Sequence, residues 1–290
     1  MKIILPVLAL ILLPVPSVLS ATQTNDWENT SINSINRLPA RTYSVPLASE
    51  NDSFTDALDP SSPYKLSLNG TWKISWTGDP KLRVKGFEAV DFDDSQWFNL
   101  PVPSCVEIHG FGLPGYVNWR YPHKLQWPLI RDRQSGKDDY NPVTSYRRKF
   151  SVPQSWDGRR IVLRFDGVYS AYYVWVNGKK VGYAEDSKLP SEFDITSFVK
   201  SGENTLAVEV YRWCDGSYLE DQDMTRYSGI FRDVSIWSMP KDGIWDFVIN
   251  TSLSDDYKIG YFSVGGNEGE WTPSLYDSAK QLNTRHDPST

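Results

Sequence analysis

The chain has 290 residues, 40% hydrophobic and 14% aromatic, enough for one large or two modest cores, and a formal net charge of -6. With no basic cluster, that charge argues against nucleic-acid binding, which needs concentrated Lys and Arg to neutralise phosphates. Its two cysteines, Cys105 and Cys214, are far apart in the chain, which excludes a disulfide framework or a zinc-ligand cluster and leaves one bridge or two isolated thiols as the alternatives.

Met1-Lys2, an apolar run from Ile3 to Leu13 and the small residues of Val18-Leu19-Ser20-Ala21 have the order of a secretory signal, which predicts removal of residues 1–20 and export to the periplasm or the medium. The run is short and interrupted by Pro6, Pro14 and Pro16, and no Cys follows it, so neither a transmembrane helix nor a lipid anchor is expected. Asn29, Asn51, Asn69 and Asn250 head Asn-x-Ser/Thr sequons, which matter only in a host that glycosylates. Residues 21–63 are polar and rich in Pro, Ser and Asp without periodicity, and read as an extended arm.

From residue 64 the pattern changes to short alternating runs separated by turns. Asn69-Gly70 predicts a hairpin before Thr71-Trp72-Lys73-Ile74-Ser75-Trp76, and Leu100-Pro101-Val102-Pro103 predicts an edge or crossover, because proline cannot donate into a central ladder. The stretch to Asn141 is long, aromatic and rich in Gly and Pro, as functional loops are. Strands are predicted over 145–150, 160–167, 171–183 and 204–211, with a hairpin at Asn177-Gly178, and a turn or single helical turn is predicted over 193–198. No long amphipathic helix is visible. The expected fold is all-β, an antiparallel jelly-roll β-sandwich over 64–240. Met239-Pro240 marks a boundary, another strand starts near Ile244, and residues 265–290 read as a disordered tail.

The most chemically loaded stretch is the loop after the 204–211 strand. Asp215, Glu220, Asp221 and Asp223 lie close together with Arg212, Arg226 and Arg232, and such groups are costly to bury unless paired or bound to something. Two carboxylates can serve glycoside hydrolysis, but acids interleaved with arginines more often form an ion-pair network. A hard-cation site is also open, without calcium-loop spacing. A Ser-His-Asp triad and a phosphate-cradling glycine loop find no support. Twelve Trp and sixteen Tyr suit either stacking on sugar rings or filling a β-sandwich core.

At this loop the chain resembles a known family. Arg212-Trp-x-Asp215-Gly-Ser-Tyr-Leu-Glu-Asp-Gln-Asp223 and Ser228-Gly-Ile-Phe-Arg-Asp-Val234 resemble the N-terminal sugar-binding domain of glycoside hydrolase family 2 β-galactosidases. So, in the same order, do Trp27-Glu-Asn29, Leu68-Asn-Gly-x-Trp72, Asn118-x-x-Tyr121-Pro122, Trp175-Val-Asn-Gly178, Val181-Gly-Tyr-x-x-Asp-Ser187 and Leu189-Pro-Ser-Glu-Phe-Asp194.

The resemblance implies a galactose-binding-like jelly roll, then an immunoglobulin-like domain, only begun within residues 241–264, then a barrel that carries both catalytic glutamates. On that basis the chain stops before the barrel and has no catalytic residue of its own. Asn118 and Asp215 would contact the β-galactoside, Asp215 would also hold a sodium ion, and magnesium would be needed only in the barrel. Trp119 and Arg120 beside Asn118, and Cys214 where Ser is common, depart from the family pattern. The partners implied are the sugar, the remaining domains and further copies of the enzyme, since the family is often homo-oligomeric. Two other readings are a free-standing carbohydrate-binding module and a subunit that complements a separate catalytic chain.

Overall fold

The computed structural model describes residues 25–49, 52, 62–118, 121–131 and 140–266. The predicted signal segment, Trp119 and Arg120, and nearly all of the predicted tail lie outside the described residues.

Seventeen strands are present among the described residues, and no α-helix. In chain order they are β1 (Ser34–Ile35), β2 (Lys65–Ser67), β3 (Gly70–Thr77), β4 (Phe98–Val102), β5 (Gly115–Val117), β6 (Val143–Val152), β7 (Arg160–Phe165), β8 (Val168–Tyr169) and β9 (Ala171–Val176). They continue with β10 (Lys179–Ala184), β11 (Ser191–Asp194), β12 (Gly202–Tyr211), β13 (Met224–Arg226), β14 (Gly229–Ile230), β15 (Val234–Met239), β16 (Phe247–Leu253) and β17 (Gly260–Gly266). A seven-stranded sheet in the order β1-β10-β9-β12-β6-β3-β4 faces a four-stranded sheet in the order β11-β7-β15-β2. Every ladder is antiparallel, which gives the predicted jelly-roll sandwich.

The main core lies between the sheets. Alternate residues point into it: Tyr172, Val174 and Val176 of β9, Leu206, Val208 and Val210 of β12, and Leu163, Phe165, Val234 and Ile236 from the smaller sheet. β12 is paired on both sides, with β6 from Gly202↔Val152 to Tyr211↔Val143 and with β9 from Leu206↔Val176 to Tyr211↔Ala171. It is therefore a rigid support for the loop that follows it.

Several expectations hold in detail. Asn177 and Gly178 have φ of 51° and 78° in the two-residue turn between β9 and β10, and β4, which contains Pro101 and is followed by Pro103, is an edge strand. Both cysteines are free.

Two local expectations fail. Asn69-Gly70 does not close a hairpin, because β2 pairs with β15 in one sheet while β3 pairs with β4 and β6 in the other. The pair instead turns the chain from sheet to sheet, with Gly70 at φ 121° and Asn69 pinned across the turn: its Oδ1 accepts from Val234 N at 3.0 Å and its Nδ2 donates to Asp233 at 2.9 Å. Residues 191–194 are a strand on β7 rather than part of a turn, because Phe193 fills the core opposite Leu163. The turn comes later, closed by the Phe198 and Val199 amides on the Ile195 carbonyl.

The arm is ordered where it meets the sandwich. β1 pairs with β10, Arg37 bridges to Phe193, and the Arg41 guanidinium donates Nε and Nη2 to the two Glu192 oxygens at 2.8 and 2.9 Å. At Gly182 the arm approaches so closely that a Cβ would meet the Ile35 carbonyl and the Phe193 ring. A Gly182→Ala chain is expected to lose about 1–3 kcal/mol of stability through overpacking. Urea denaturation checks this, and an unchanged midpoint would refute the contact.

Candidate functional site

The loop that leaves β12 is fixed within two residues. Arg212 N donates to the Pro142 carbonyl at 2.9 Å, and Ser170 Oγ donates to the Arg212 carbonyl at 3.0 Å. Buried Asn141 then accepts from Trp213 N at 2.9 Å and donates to the Trp213 carbonyl at 2.7 Å. Next comes a single 3-10 turn, Asp215–Tyr218, in which Ser217 Oγ accepts from Cys214 N at 3.0 Å and Ser217 N donates back to the Cys214 carbonyl at 2.9 Å. Tyr218 reaches out of the turn to hold the long loop before β6: its hydroxyl donates to the Leu129 carbonyl at 2.7 Å and accepts from Gln126 N at 3.1 Å. Its ring lies against Tyr121 and His123, with Trp213 behind His123. The far end of that loop is tied to the arm, where Glu28 accepts from Ile130 N and from Arg131, each at 2.8 Å.

Asp215 is only 6% exposed, and its Oδ1 accepts from Gly216 N at 2.9 Å. Its near neighbour, Glu185, follows β10 and is 7% exposed. Oxygen or sulfur atoms of Glu185, Cys214 and Asp215 lie within 4.8 Å of one another, a group able to hold a metal ion. Burial pushes the Glu185 carboxyl up to about 8; the Tyr183 hydroxyl opposes that shift and Asp215 adds to it. Burial also raises Asp215, against the lowering effect of its hydrogen bonds with Glu185 and the Gly216 amide. Burial keeps the Cys214 thiol protonated. Two buried carboxyls this close favour a state in which one of them keeps its proton.

The other acids of the loop brace it. Glu220 accepts from Ser187 N at 3.0 Å and from Ser187 Oγ at 2.5 Å, and Asp221 pairs with Arg226 at 2.8 Å. Asp223 accepts from the Tyr116 hydroxyl at 2.7 Å. Buried Arg212 donates to the Leu113 and Arg226 carbonyls at 2.9 and 3.1 Å, and Glu107 holds Ser228 through both its amide at 2.9 Å and its hydroxyl at 2.6 Å. Among the described residues the expected ion-pair network is thus reduced to Asp221–Arg226, while Glu220 and Asp223 are held by neutral amide and hydroxyl groups from outside the loop. Asn118 is exposed and directly follows β5, whose pairing with β13 joins the two predicted site segments. The structure thus places Asp215 beside Glu185 and Cys214, while Asn118 stands in the adjoining loop. Glu185 was missed as a site residue. The available signal was an acid two positions after Tyr183, just past the end of the strand and on the side of that buried tyrosine, whose hydroxyl donates to it.

Residues 66–240 match the family described as glycosyl hydrolases family 2, sugar binding domain. The chain belongs to this family. Among curated proteins it is 41% identical over 247 residues to a β-galactosidase of Priestia megaterium, covering 83% of this chain and 23% of that protein. It is 43% identical over 244 residues to a β-galactosidase of Vibrio vulnificus, covering 83% of this chain and 22% of that protein. The chain thus spans under a quarter of the length of these curated relatives. Among solved structures, a β-glucuronidase from an uncultured Clostridium sp. superposes with a TM-score of 0.54 at 25% identity, covering 79% of this chain and 39% of that one. A Ruminococcus gnavus β-glucuronidase gives 0.55 at 19% identity over 76% of this chain and 36% of that one, a likeness of fold alone.

The Glu185–Asp215 pair makes stability depend on pH. A carboxyl raised by folding stabilises the folded chain fully below its ordinary value, and that contribution is lost as pH rises through the folded value. For Glu185 the window runs from 4.5 to about 8. In sodium-free buffer the thermal midpoint is expected to fall by a few degrees across this window. Glu185→Gln should flatten the fall, leaving a smaller one from Asp215 and Glu209, both also raised by burial. An unaltered profile in the variant would remove Glu185 from the account.

Proposed function

We propose that this chain is the sugar-positioning N-terminal part of a retaining β-galactosidase, which holds a terminal β-galactoside but does not supply the acid or the nucleophile. The strongest support is the buried Asp215 carboxyl, fixed on a clamped turn within a family 2 sugar binding domain. Retaining hydrolysis needs two carboxyl groups about 5–5.5 Å apart with the glycosidic bond between them. Glu185 and Asp215 are close enough, with oxygens within 4.8 Å, but both are buried rather than set on either side of an open cleft. Their place is beside the sugar, where a fixed acceptor orients hydroxyl groups. Asn118, exposed on the neighbouring loop, offers an amide that can donate and accept.

The donor set also suits the sodium ion expected at Asp215. Carboxylate oxygens are hard ligands, a cation would relieve the conflict between two buried acids, and the protonated Cys214 thiol adds no soft ligand. Magnesium belongs, on this reading, to the catalytic part of the enzyme.

The test is to exchange this chain for the matching region of the Priestia megaterium β-galactosidase. The chain by itself should not turn over a chromogenic β-galactoside, whereas the exchanged enzyme should. Asp215→Ala in the exchanged enzyme should lower kcat/KM about 100-fold or more, as loss of a positioning contact can. Replacing sodium by choline should weaken the parent strongly and the variant little. Turnover by the isolated chain, or an exchanged enzyme indifferent to Asp215, would overturn the proposal.

A further inference from the structure

The seven-stranded sheet has a second face, turned away from the core. Tyr173 and Trp175 of β9 project onto it beside Glu209 and Tyr211 of β12, with Tyr173↔Glu209 and Trp175↔Ala207 in register. The arm residues 25–28 cover one part of this face. Another part is covered by the connection from β3 to β4, which sets Phe87 edge-on to Trp175 at 5.6 Å and is tied down by Arg147 to Asp94 at 2.8 Å. Between the two covers lies a cavity of about 360 Å³, at the lower end of the ~300–1,000 Å³ range of small-molecule clefts. Asn118, Glu185 and Asp215 are not among its lining residues.

We propose that this cavity is a saccharide-binding site separate from the Asn118 and Asp215 loops, with Trp175 as its stacking platform and Asp26, Arg83, Lys180 and Glu209 as its polar rim.

Most of the aromatic rings here already have partners. Trp27 and Tyr211 stack on each other at 4.0 Å, and Tyr173 has Tyr183 at 4.7 Å and the Lys180 ammonium at 4.2 Å. Trp175 also has ring neighbours, Phe87 at 5.6 Å and Tyr173 at 5.8 Å, but it is only half-buried and lines the cavity, so part of its apolar surface is left for the C–H face of a pyranose. The rim is preorganised and two-signed. Asp26 accepts from the Tyr173 hydroxyl at 2.7 Å and lies 4.0 Å from Lys180; Glu209 accepts from the Tyr211 hydroxyl at 2.6 Å and lies 3.5 Å from Arg83. Ammonium and guanidinium protons and carboxylate lone pairs beyond these contacts remain for a ligand. Two acids against two bases leave the rim with no net formal charge. An anion would face both carboxylates and a cation both bases, whereas a neutral polyol can give and accept hydrogen bonds around the rim. The inference does not depend on the role given to Asp215.

Calorimetric titration of the full chain with lactose and cellobiose tests it, with inorganic phosphate and adenosine as the anionic and flat-aromatic comparisons. Saturable binding of a disaccharide is expected. Trp175→Ala should weaken it about tenfold or more. Lys180→Ala changes a side chain that is 46% exposed, so it should fold even if the tryptophan variant does not, and it too should weaken binding. The proposal is overturned if neither disaccharide binds, if phosphate or adenosine binds in their place, or if Lys180→Ala leaves the binding unchanged.

Discussion

The amide of Asn141 clamps the Trp213 backbone from both sides, and the shape of the site depends on that clamp. A strand paired on both edges delivers the chain to this point, but a ladder ends where its partners end. Beyond Tyr211 the backbone groups need new partners, since buried N–H and C=O groups are costly to leave unpaired. Pro142, Ser170 and Asn141 supply them for Arg212 and Trp213, and the Cys214–Ser217 exchange supplies them for the turn. Asp215 therefore inherits the rigidity of the sheet although it belongs to a loop. Preorganisation of this kind is what a positioning residue requires.

Rigidity also lets the site keep two acids in contact. Two unit charges ~4 Å apart repel by about 4 kcal/mol even at an effective dielectric near 20, and burial adds a desolvation cost to each. Glu185 and Asp215 cannot both be ionised cheaply; a retained proton or a bound cation resolves the conflict. The same loop shows the other solution for buried charge. Arg212 and Arg226 are buried, and their terminal nitrogens donate to loop carbonyls and to Asp221, although the Nε of each makes no hydrogen bond. The arginines fix the loop, and the carboxyl pair is left as the group that responds to its surroundings.

Much of the sandwich was legible because its signals are local. The alternation in Leu206, Val208 and Val210 marks one buried face, Asn177-Gly178 suits positive φ, and Pro101 and Pro103 keep β4 at an edge. Asn69-Gly70 misled because the same dihedral freedom serves a hairpin and a sheet-to-sheet corner; only the pairing of β2 with β15 separates them. Phe193 misled because Asp, Thr and Ser nearby favour turns, whereas its ring fills the core opposite Leu163. In the site, Asp215 was found through its motif. Glu185, thirty positions earlier, was not, because nothing within either segment requires the two carboxyls to meet.

The sequence alone determined the fold class, the strand periodicity, the family and the loop that carries Asp215, because each is written in neighbouring residues or in an ordered series of motifs. Tertiary structure alone decided that Glu185 and Cys214 share the Asp215 site, that Glu28 and Glu107 brace loops far from them in sequence, and that Trp175 borders a cavity on the outer face of the sheet. The physical reason is the same in each case. Burial and like-charge contact depend on distance in space, and antiparallel pairing brings together residues whose separation along the chain carries no trace of it.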